Sequence, residues 1–368
     1  MAGSVSKTIA FIGFGLIGGS IAKALRKKHP EYLLYAWNPH IEKVNTAIAD
    51  GVLNYALSSL QAPELHDADI VLLCAPVESN CENLRAILPV LNENVIISDI
   101  GSVKTGIHEE ASRLGVEDRF VGGHPMAGSE RTGYLASKDY LLENAYYVIT
   151  SSDKADPEKV QAMVDLAGDL GALPIRMDYR EHDRVVAAVS HVPHVIAASL
   201  VRLVRDSDNP EQMMKTIAAG GFKDITRIAS SSPEMWQQIC MTNAGNITEL
   251  LQKYIDALSD IKRIIDEHSS EDIKDFFSGA REYRESFIDA SSGPIKRNYA
   301  LSIDIADEPG VIASVSTMLA VHSLNIKNIG ITHNREIERG ALKIEFWSGE
   351  DMEAAKNILA LHGYVICY

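Results

Sequence analysis

Short stretches of the chain carry the residues that could do chemistry. Ile9-Ala10-Phe11-Ile12 runs into Gly13-Phe14-Gly15-Leu16-Ile17-Gly18, a G-x-G-x-x-G between a β-rich run and a helix-period run. In that setting the first glycine makes a tight turn, the second lets backbone approach a pyrophosphate, and the third lets helix pack on strand. The helix N-terminus then faces the anion. Dinucleotide binding is expected here, against the plainer alternative of a structural βα turn. Asn38 stands 20 residues after Gly18, where a carboxylate would accept a hydrogen bond from the ribose of NAD. Asparagine can accept that bond without repelling a 2′-phosphate. NAD is therefore the expected cofactor, and NADP stays open through His40 and Lys43.

Asp99-Ile100-Gly101-Ser102-Val103-Lys104 and Gly122-Gly123-His124-Pro125-Met126-Ala127-Gly128-Ser129-Glu130 each follow a predicted strand, at the edge where doubly wound sheets bind ligands. His124 is placed to act as base or acid on something held against the cofactor; the competing reading is a loop histidine that caps carbonyls. Ser190-His191-Val192-Pro193-His194 sets two histidines three apart, on one helical face if the helix runs through Pro193. With no Cys or carboxylate at ligand spacing in that motif, no metal is expected, and a substrate-facing His194 beside a packed His191 fits better. Gly220-Gly221-Phe222-Lys223-Asp224-Ile225-Thr226-Arg227 puts Lys223 and Arg227 four apart, one helical turn, where the arginine fork suits a carboxylate. A surface pairing with Asp224 or Glu234 is the alternative; the two glycines argue for close backbone approach instead.

The composition says why such a cation pair is needed. Thirty-five Lys plus Arg against fifty Asp plus Glu leave a net charge of −15 over 368 residues, which argues against nucleic acid and anionic membrane surfaces as partners. A small anionic substrate would also be repelled unless its site carried its own Lys or Arg. Four cysteines, Cys74, Cys81, Cys240 and Cys367, lack metal or disulfide-framework spacing, so reduced thiols and a cytoplasmic location are expected. The apolar run Ile9–Ala22 behind Lys7 loosely mimics a secretory leader, but its recurring glycines fit a binding turn better. No uninterrupted apolar run reaches the roughly 18 residues of a membrane span, and Val185–Val201, which comes nearest, contains His191, Pro193 and His194.

The elements that must position these residues follow from periodicity. Strand patterns at Thr8–Gly13, Tyr32–Trp37, Asp69–Cys74, Asn94–Ser98, Phe120–Gly122 and Ala145–Thr150 alternate with helical ones, the signature of a mainly parallel α/β sheet with helices on both faces. From Glu181 to about Ala290 only helical spacing remains, and after Ser291-Ser292-Gly293-Pro294 strand and helix patterns return. The expected division is a dinucleotide-binding domain at 1–173, a helical domain at 174–290, a linker at 291–298 and an α+β domain at 299–368.

In order along the chain, Gly13–Ser20, Asp99–Lys104, His124–Glu130, His182–Asp183 with Ser190–His194, and Gly220–Arg227 followed by Trp236 resemble the motif set of prephenate dehydrogenases. Residues after Tyr299 look like an ACT domain, a βαββαβ amino-acid-sensing module, through Asp307-Glu308-Pro309-Gly310-Val311 and Asn325-Ile326-Lys327-Asn328-Ile329. The resemblance implies a Rossmann-type domain, a helical substrate and dimerisation domain that makes a homodimer, and oxidative decarboxylation of prephenate to 4-hydroxyphenylpyruvate with NAD in tyrosine biosynthesis. It implies His124 and Ser102 as catalytic, and Arg227, Lys223, His194, Glu130, Gly220 and Trp236 around the substrate. Ala75, Pro76 and Val77 would touch the cofactor together with the glycine-rich turn and Asn38. Tyrosine is the implied effector, bound near Pro309, Gly310, Asn325 and Asn328. Arogenate dehydrogenases share these motifs and are the alternative, as is another NAD(P)-dependent oxidoreductase of this architecture; Asn38, where many relatives have Asp, leaves the cofactor preference open.

Overall fold

The computed structural model describes residues 6–128, 131–289, 299–306, 308, 310–333 and 339–367. The linker at 291–298 and two of the expected site residues, Glu130 and Pro309, lie outside them. The chain forms two compact units, residues 1–268 and 269–368.

The first unit opens with β1 (Thr8–Ile12), α1 (Leu16–Lys28), β2 (Leu33–Trp37), α2 (Ile41–Ala49) and β3 (Tyr55–Ala56). There follow β4 (Ile70–Leu73), α3 (Val77–Ile87), β5 (Ile96–Asp99), α4 (Thr105–Arg113), β6 (Phe120–Pro125), β7 (Tyr146–Thr150), α5 (Pro157–Asp169) and β8 (Leu173–Met177). These strands make one sheet in the order β3-β2-β1-β4-β5-β6-β7-β8. All neighbours are parallel except β6 and β7. Ile9 to Ile12 and Ile70 to Leu73 are completely buried, as expected of central strands covered on both faces. Their side chains divide by alternation: Ile9 and Phe11 join one core with residues of α1 and α5, while Ala10 and Ile12 join another with residues of α3 and α4.

Two strands went unforeseen. β3 is only two residues long, and β8 carries Pro174, whose missing N–H is tolerated because β8 is the sheet's edge. The sheet therefore runs to Met177, past the boundary expected at 173.

Helices then take over: α6 (Tyr179–Val186), a π-helical turn (Ala187–His191) and α7 (Val192–Ser207) form one continuous rod through Pro193, followed by α8 (Met213–Ile217), α9 (Gly220–Thr226), a 3₁₀ turn (Arg227–Ser230), α10 (Pro233–Thr242) and α11 (Ala244–Asp266). Asp178 caps α6 by accepting from the amides of Arg180 and Glu181. By length and composition the rod Tyr179–Ser207 could cross a membrane, with mean hydropathy 1.5. Its buried His182 and Asp183, however, are hydrogen-bonded to residues of the sheet domain, which places the rod in the protein fold. Only Ala187, Val192 and Ile247 form the buried centre of a separate small core here. Large apolar side chains stay exposed on α7 (Val201, Leu203) and α11 (Ile255, Leu258, Ile265).

The second unit contains α12 (Ser270–Asp289) and then β9 (Tyr299–Ala306), α13 (Val311–Val321), β10 (Ile326–His333), β11 (Arg339–Phe346), α14 (Gly349–Leu361) and β12 (Ile366–Cys367). Its antiparallel sheet has the order β10-β11-β9-β12. Ile303, Val315, Leu319, Leu342, Ile344 and Leu359 are among the residues of its core.

Candidate active site

The β1–α1 turn lies where the strand order reverses, between β1 and β4, the crevice in which open α/β sheets bind ligands. Gly13 has φ +83°, and a Cβ there would stand 2.8 Å from the backbone nitrogen of Ala75, so β4's end closes against this turn. A Cβ on Gly18 would stand 3.2 Å from Cys74 Cβ, the contact that seats α1 on β4. At Gly15 nothing lies within 4 Å. This is the one glycine of the three that faces open space, and the first turn of α1 has no capping side chain on its amides. A cavity of about 850 Å³ opens there, lined by Gly13, Phe14, Gly15, Asn38, Ala75 and Pro76 among others. An exposed backbone path, uncapped helix amides and a cavity of this size fit a dinucleotide.

Asn38 is partly engaged: its Oδ1 accepts from the His40 amide at 2.9 Å. His40, Lys43 and Thr46 line the same end of the cavity. Leu16 and Ile17 sit in the first turn of α1, and Val77 leans toward Gly101 rather than into the cavity lining.

Two strands along, the end of β6 presents His124. Its glycine pair is demanded by packing. A Cβ on Gly122 would collide with Thr150 Oγ1, and one on Gly123 would lie 2.8 Å from the carbonyl oxygen of Asp99. Lys104 is fully buried, pairs with Asp99 and donates to the Gly123 carbonyl at 2.7 Å, fixing the backbone just before His124. The His124 ring is held by a histidine that comes from α6: His124 Nδ1 and His182 Nε2 are 2.8 Å apart. His182 Nδ1 is 2.8 Å from Asp183 Oδ1, and both residues are completely buried. Asp183 also accepts from the backbone amides of Lys104 at 2.7 Å and Thr105 at 2.8 Å.

The electrostatics of this array keep the histidines neutral. Burial, then the neighbouring His182, Lys104 and His191, push His124 well below the ordinary imidazole range. Burial also lowers His182, against the opposing pull of Asp183. For Asp183 burial acts upward, but hydrogen bonds from His182, Thr105 and Lys104 prevail and hold it below the ordinary carboxylate value. A carboxylate at Asp183 obliges His182 to carry its proton on Nδ1, which leaves His182 Nε2 to accept from His124 Nδ1. His124 Nε2 is then left without a proton, as a base requires.

Further along the rod, His191 and His194 both meet Trp236 of α10. His194 stacks on the indole with centroids 3.8 Å apart, and His191 approaches it edge-on at 6.0 Å. Asn243 ties the two halves together, donating to the Asp183 carbonyl at 2.8 Å and contacting His191 Nδ1 at 3.1 Å. Burial lowers His194, and the nearby Arg227 guanidinium adds to the effect.

Residues 21–175 match the family description "Prephenate dehydrogenase, nucleotide-binding domain", and residues 178–279 match "Prephenate dehydrogenase, dimerization domain". The chain belongs to the prephenate dehydrogenase family. It is 36% identical to the prephenate dehydrogenase of Bacillus subtilis (strain 168) over 96% of this chain and 95% of that one. Among solved structures it resembles prephenate dehydrogenase from A. aeolicus in complex with hydroxyphenyl propionate and NAD+, at 29% identity and TM-score 0.73, over 77% of this chain and 99% of that one. It also resembles arogenate dehydrogenase from Synechocystis, at 27% identity and TM-score 0.68, over 76% and 99% of the respective chains. Membership makes the chain an oxidoreductase with a Rossmann-like domain and a helical domain. Neither family description extends past residue 279.

For a member of this family the sequence-derived residues fall into groups. Gly13, Phe14, Gly15, Asn38, Ala75 and Pro76 share the cavity; His194 and Trp236 share a stack, and Arg227 lies close to them. Ser102 lies past the end of β5, partly buried, and the ring contact of His124 is with His182. Lys223 and Arg227 do not sit on one continuous helix: α9 ends at Thr226, whose hydroxyl bonds back to the Phe222 carbonyl at 2.6 Å, and Arg227 opens the 3₁₀ turn. Both side chains are exposed, as is Gly220. The contacts of His182, Asp183, Lys104 and Asn243 were not read from the sequence. The signal was there in His182-Asp183, an adjacent His-Asp pair one turn into α6.

Proposed function

We propose that this chain converts prephenate to 4-hydroxyphenylpyruvate, carbon dioxide and reduced cofactor, with NAD as hydride acceptor, as a step of tyrosine biosynthesis in the cytoplasm. The observation that carries the reading is His124, whose Nδ1 stands 2.8 Å from His182 Nε2, on the carboxyl edge of the same sheet that forms the dinucleotide cavity. Bound NAD would supply the hydride acceptor. His124 Nε2 accepts a hydrogen bond from the 4-hydroxyl of prephenate and takes its proton as hydride leaves C4. The electrons of the bond to the ring carboxylate then flow into the ring, carbon dioxide departs, and the resulting phenolate oxygen recovers the proton from His124. Ser102 is the residue for orienting the substrate hydroxyl. Arg227 receives a substrate carboxylate, with Lys223, His194, Gly220, Glu130 and Trp236 around it.

The exposed apolar faces of α7 and α11 support a homodimer built on the helical domain, in keeping with the name of the matched family description. The second unit's β-α-β-β-α-β order supports an ACT domain. Within it, Gly310 in a left-handed turn before α13, with exposed Asn325 and Asn328, would receive tyrosine together with Pro309. Free thiols at Cys74, Cys81 and Cys240 suit a reducing compartment.

The test is a set of initial rates with prephenate and with arogenate, each with NAD and NADP, with and without tyrosine. Turnover of prephenate more efficient than that of arogenate, with NAD preferred over NADP by a modest margin, is the expected result. A preference for arogenate would move the chain to the other activity of the family, and no release of carbon dioxide from either substrate would refute the mechanism.

A further inference from the structure

We infer that Asp183, acting through His182, is the positioning carboxylate of the reaction, fixing which nitrogen of His124 is bare and stabilising the proton that His124 takes up. The inference rests on the reading of His124 as the base. Asp183 is held from two sides: the amides of Lys104 and Thr105, at the start of α4, bind its oxygens at 2.7 and 2.8 Å, and His182 Nδ1 meets Oδ1 at 2.8 Å. Each 2.8 Å link of the chain His124–His182–Asp183 has room for one proton. When His124 Nε2 gains the substrate proton, the Nδ1 proton can move to His182, bringing the positive charge one ring nearer the carboxylate and away from the substrate. The arrangement is a carboxylate–imidazole–imidazole relay, with the orienting logic of a triad.

The other charged groups around the array do not replace Asp183. Lys104 faces His124 and His182 but is positive and engaged by Asp99, while His191 opposes a charge on His124. Asp99 acts on His182 only at a distance. His108, with Asp178 near it, senses both Asp183 and His182, but its own hydrogen bond goes to Thr150. Asp183 is thus the carboxylate bonded directly to the histidine pair.

A purely structural role, with Asp183 only binding the amides at the start of α4, predicts different behaviour, and pH separates the two. Asp183→Asn, His182→Gln and the double variant are to be compared with the parent by kcat, the KM for prephenate and for NAD, the acidic limb of kcat/KM, and thermal unfolding. The expected result for Asp183→Asn is a kcat lower by on the order of 10²-fold, with both KM values within about twofold. Its acidic limb moves to lower pH, because the protonated histidine pair has lost its counter-charge. In the His182→Gln background, where the link is already cut, Asp183→Asn adds little. An acidic limb that stays in place, or an equal loss in both backgrounds, overturns the inference. Should Asp183→Asn fail to fold, His182→Gln leaves the Lys104 and Thr105 amides their acceptor and carries the same criterion alone. His124→Asn separates the two levels of reading: if the parent's limb persists in that variant, His124 is not the base; if the limb vanishes there but stays in place in Asp183→Asn, the inference about Asp183 alone fails.

Discussion

Replacing two glycines of the same turn by alanine should have opposite consequences. At Gly15 a new Cβ meets nothing within 4 Å, and the residue's φ of −114° suits an L-amino acid. Gly15→Ala should therefore leave stability within about 0.5 kcal/mol of the parent. The methyl group instead stands in the open space where the pyrophosphate must reach the backbone. Losing one charge-assisted hydrogen bond of roughly 1.5–3 kcal/mol weakens NAD binding by about 10- to 100-fold. At Gly13 the backbone has φ +83° and the Cβ would lie 2.8 Å from the backbone nitrogen of Ala75, just past the end of β4, whose amide is tied to Asn80 Oδ1. Left-handed strain alone costs roughly 1–2 kcal/mol, and the clash brings the loss to about 3 kcal/mol or more. Thermal unfolding followed by circular dichroism and calorimetric titration with NAD read the two effects separately. The reasoning is refuted if Gly15→Ala binds NAD as the parent does, or if it lowers the melting temperature as much as Gly13→Ala.

Arg227→Ala should raise the KM for prephenate by one to two orders of magnitude with NAD affinity unchanged, from a lost bond of roughly 1.5–3 kcal/mol, and Arg227→Lys should recover only part of it; steady-state kinetics decide. Asn38→Asp should widen the preference for NAD over NADP by adding charge repulsion beside Lys43, as measured by the ratio of kcat/KM values. Burial, then the Lys104 charge, lowers His108 to about 3, below its unfolded value, so its contribution to stability is complete above pH 6.5 and is lost as pH falls toward 3. That loss is about 5 kcal/mol at roughly 1.4 kcal/mol per pH unit, and denaturant melts of His108→Asn across this range should show a flatter acid dependence than the parent. Truncation after Ser292 should leave a dehydrogenase whose rate no longer responds to tyrosine; competitive inhibition by tyrosine in the truncated enzyme would locate the effector in the active site instead.

What could be read in the sequence was local. Ile9-Ala10-Phe11-Ile12 before the glycine turn announces a buried strand and its loop because period, turn chemistry and spacing all lie within a dozen residues. His124 was legible by position, at the end of a strand beside glycines. Its partner was not: His182 is 58 residues away, and the two meet only because the rod starting at Tyr179 brings His182 to the end of β6. Pro174 hid β8, since proline argues against a strand unless that strand lies at an edge, and edge status belongs to the completed sheet. Lys223 and Arg227 look like a one-turn pair in sequence, but the Thr226 hydroxyl bonded to its own helix and the tighter turn after it break the expected periodicity.

The π-helical turn Ala187–His191 divides the rod into a half that carries His182 and Asp183 and a half that carries His194. A π turn is one residue longer than the α turn it replaces, so it absorbs one extra residue between those halves without changing their phase. Deleting Ala188 would restore regular winding and leave the two halves close to their present phase, whereas deleting Val186, in the regular winding of α6, would rotate one half against the other by about 100°, one residue's share of a turn. The base-orienting pair and the Trp236-stacked histidine could then no longer face inward together. The alignment of the His182–Asp183 pair with His194 is thus written into the winding of the helix as well as into its side chains.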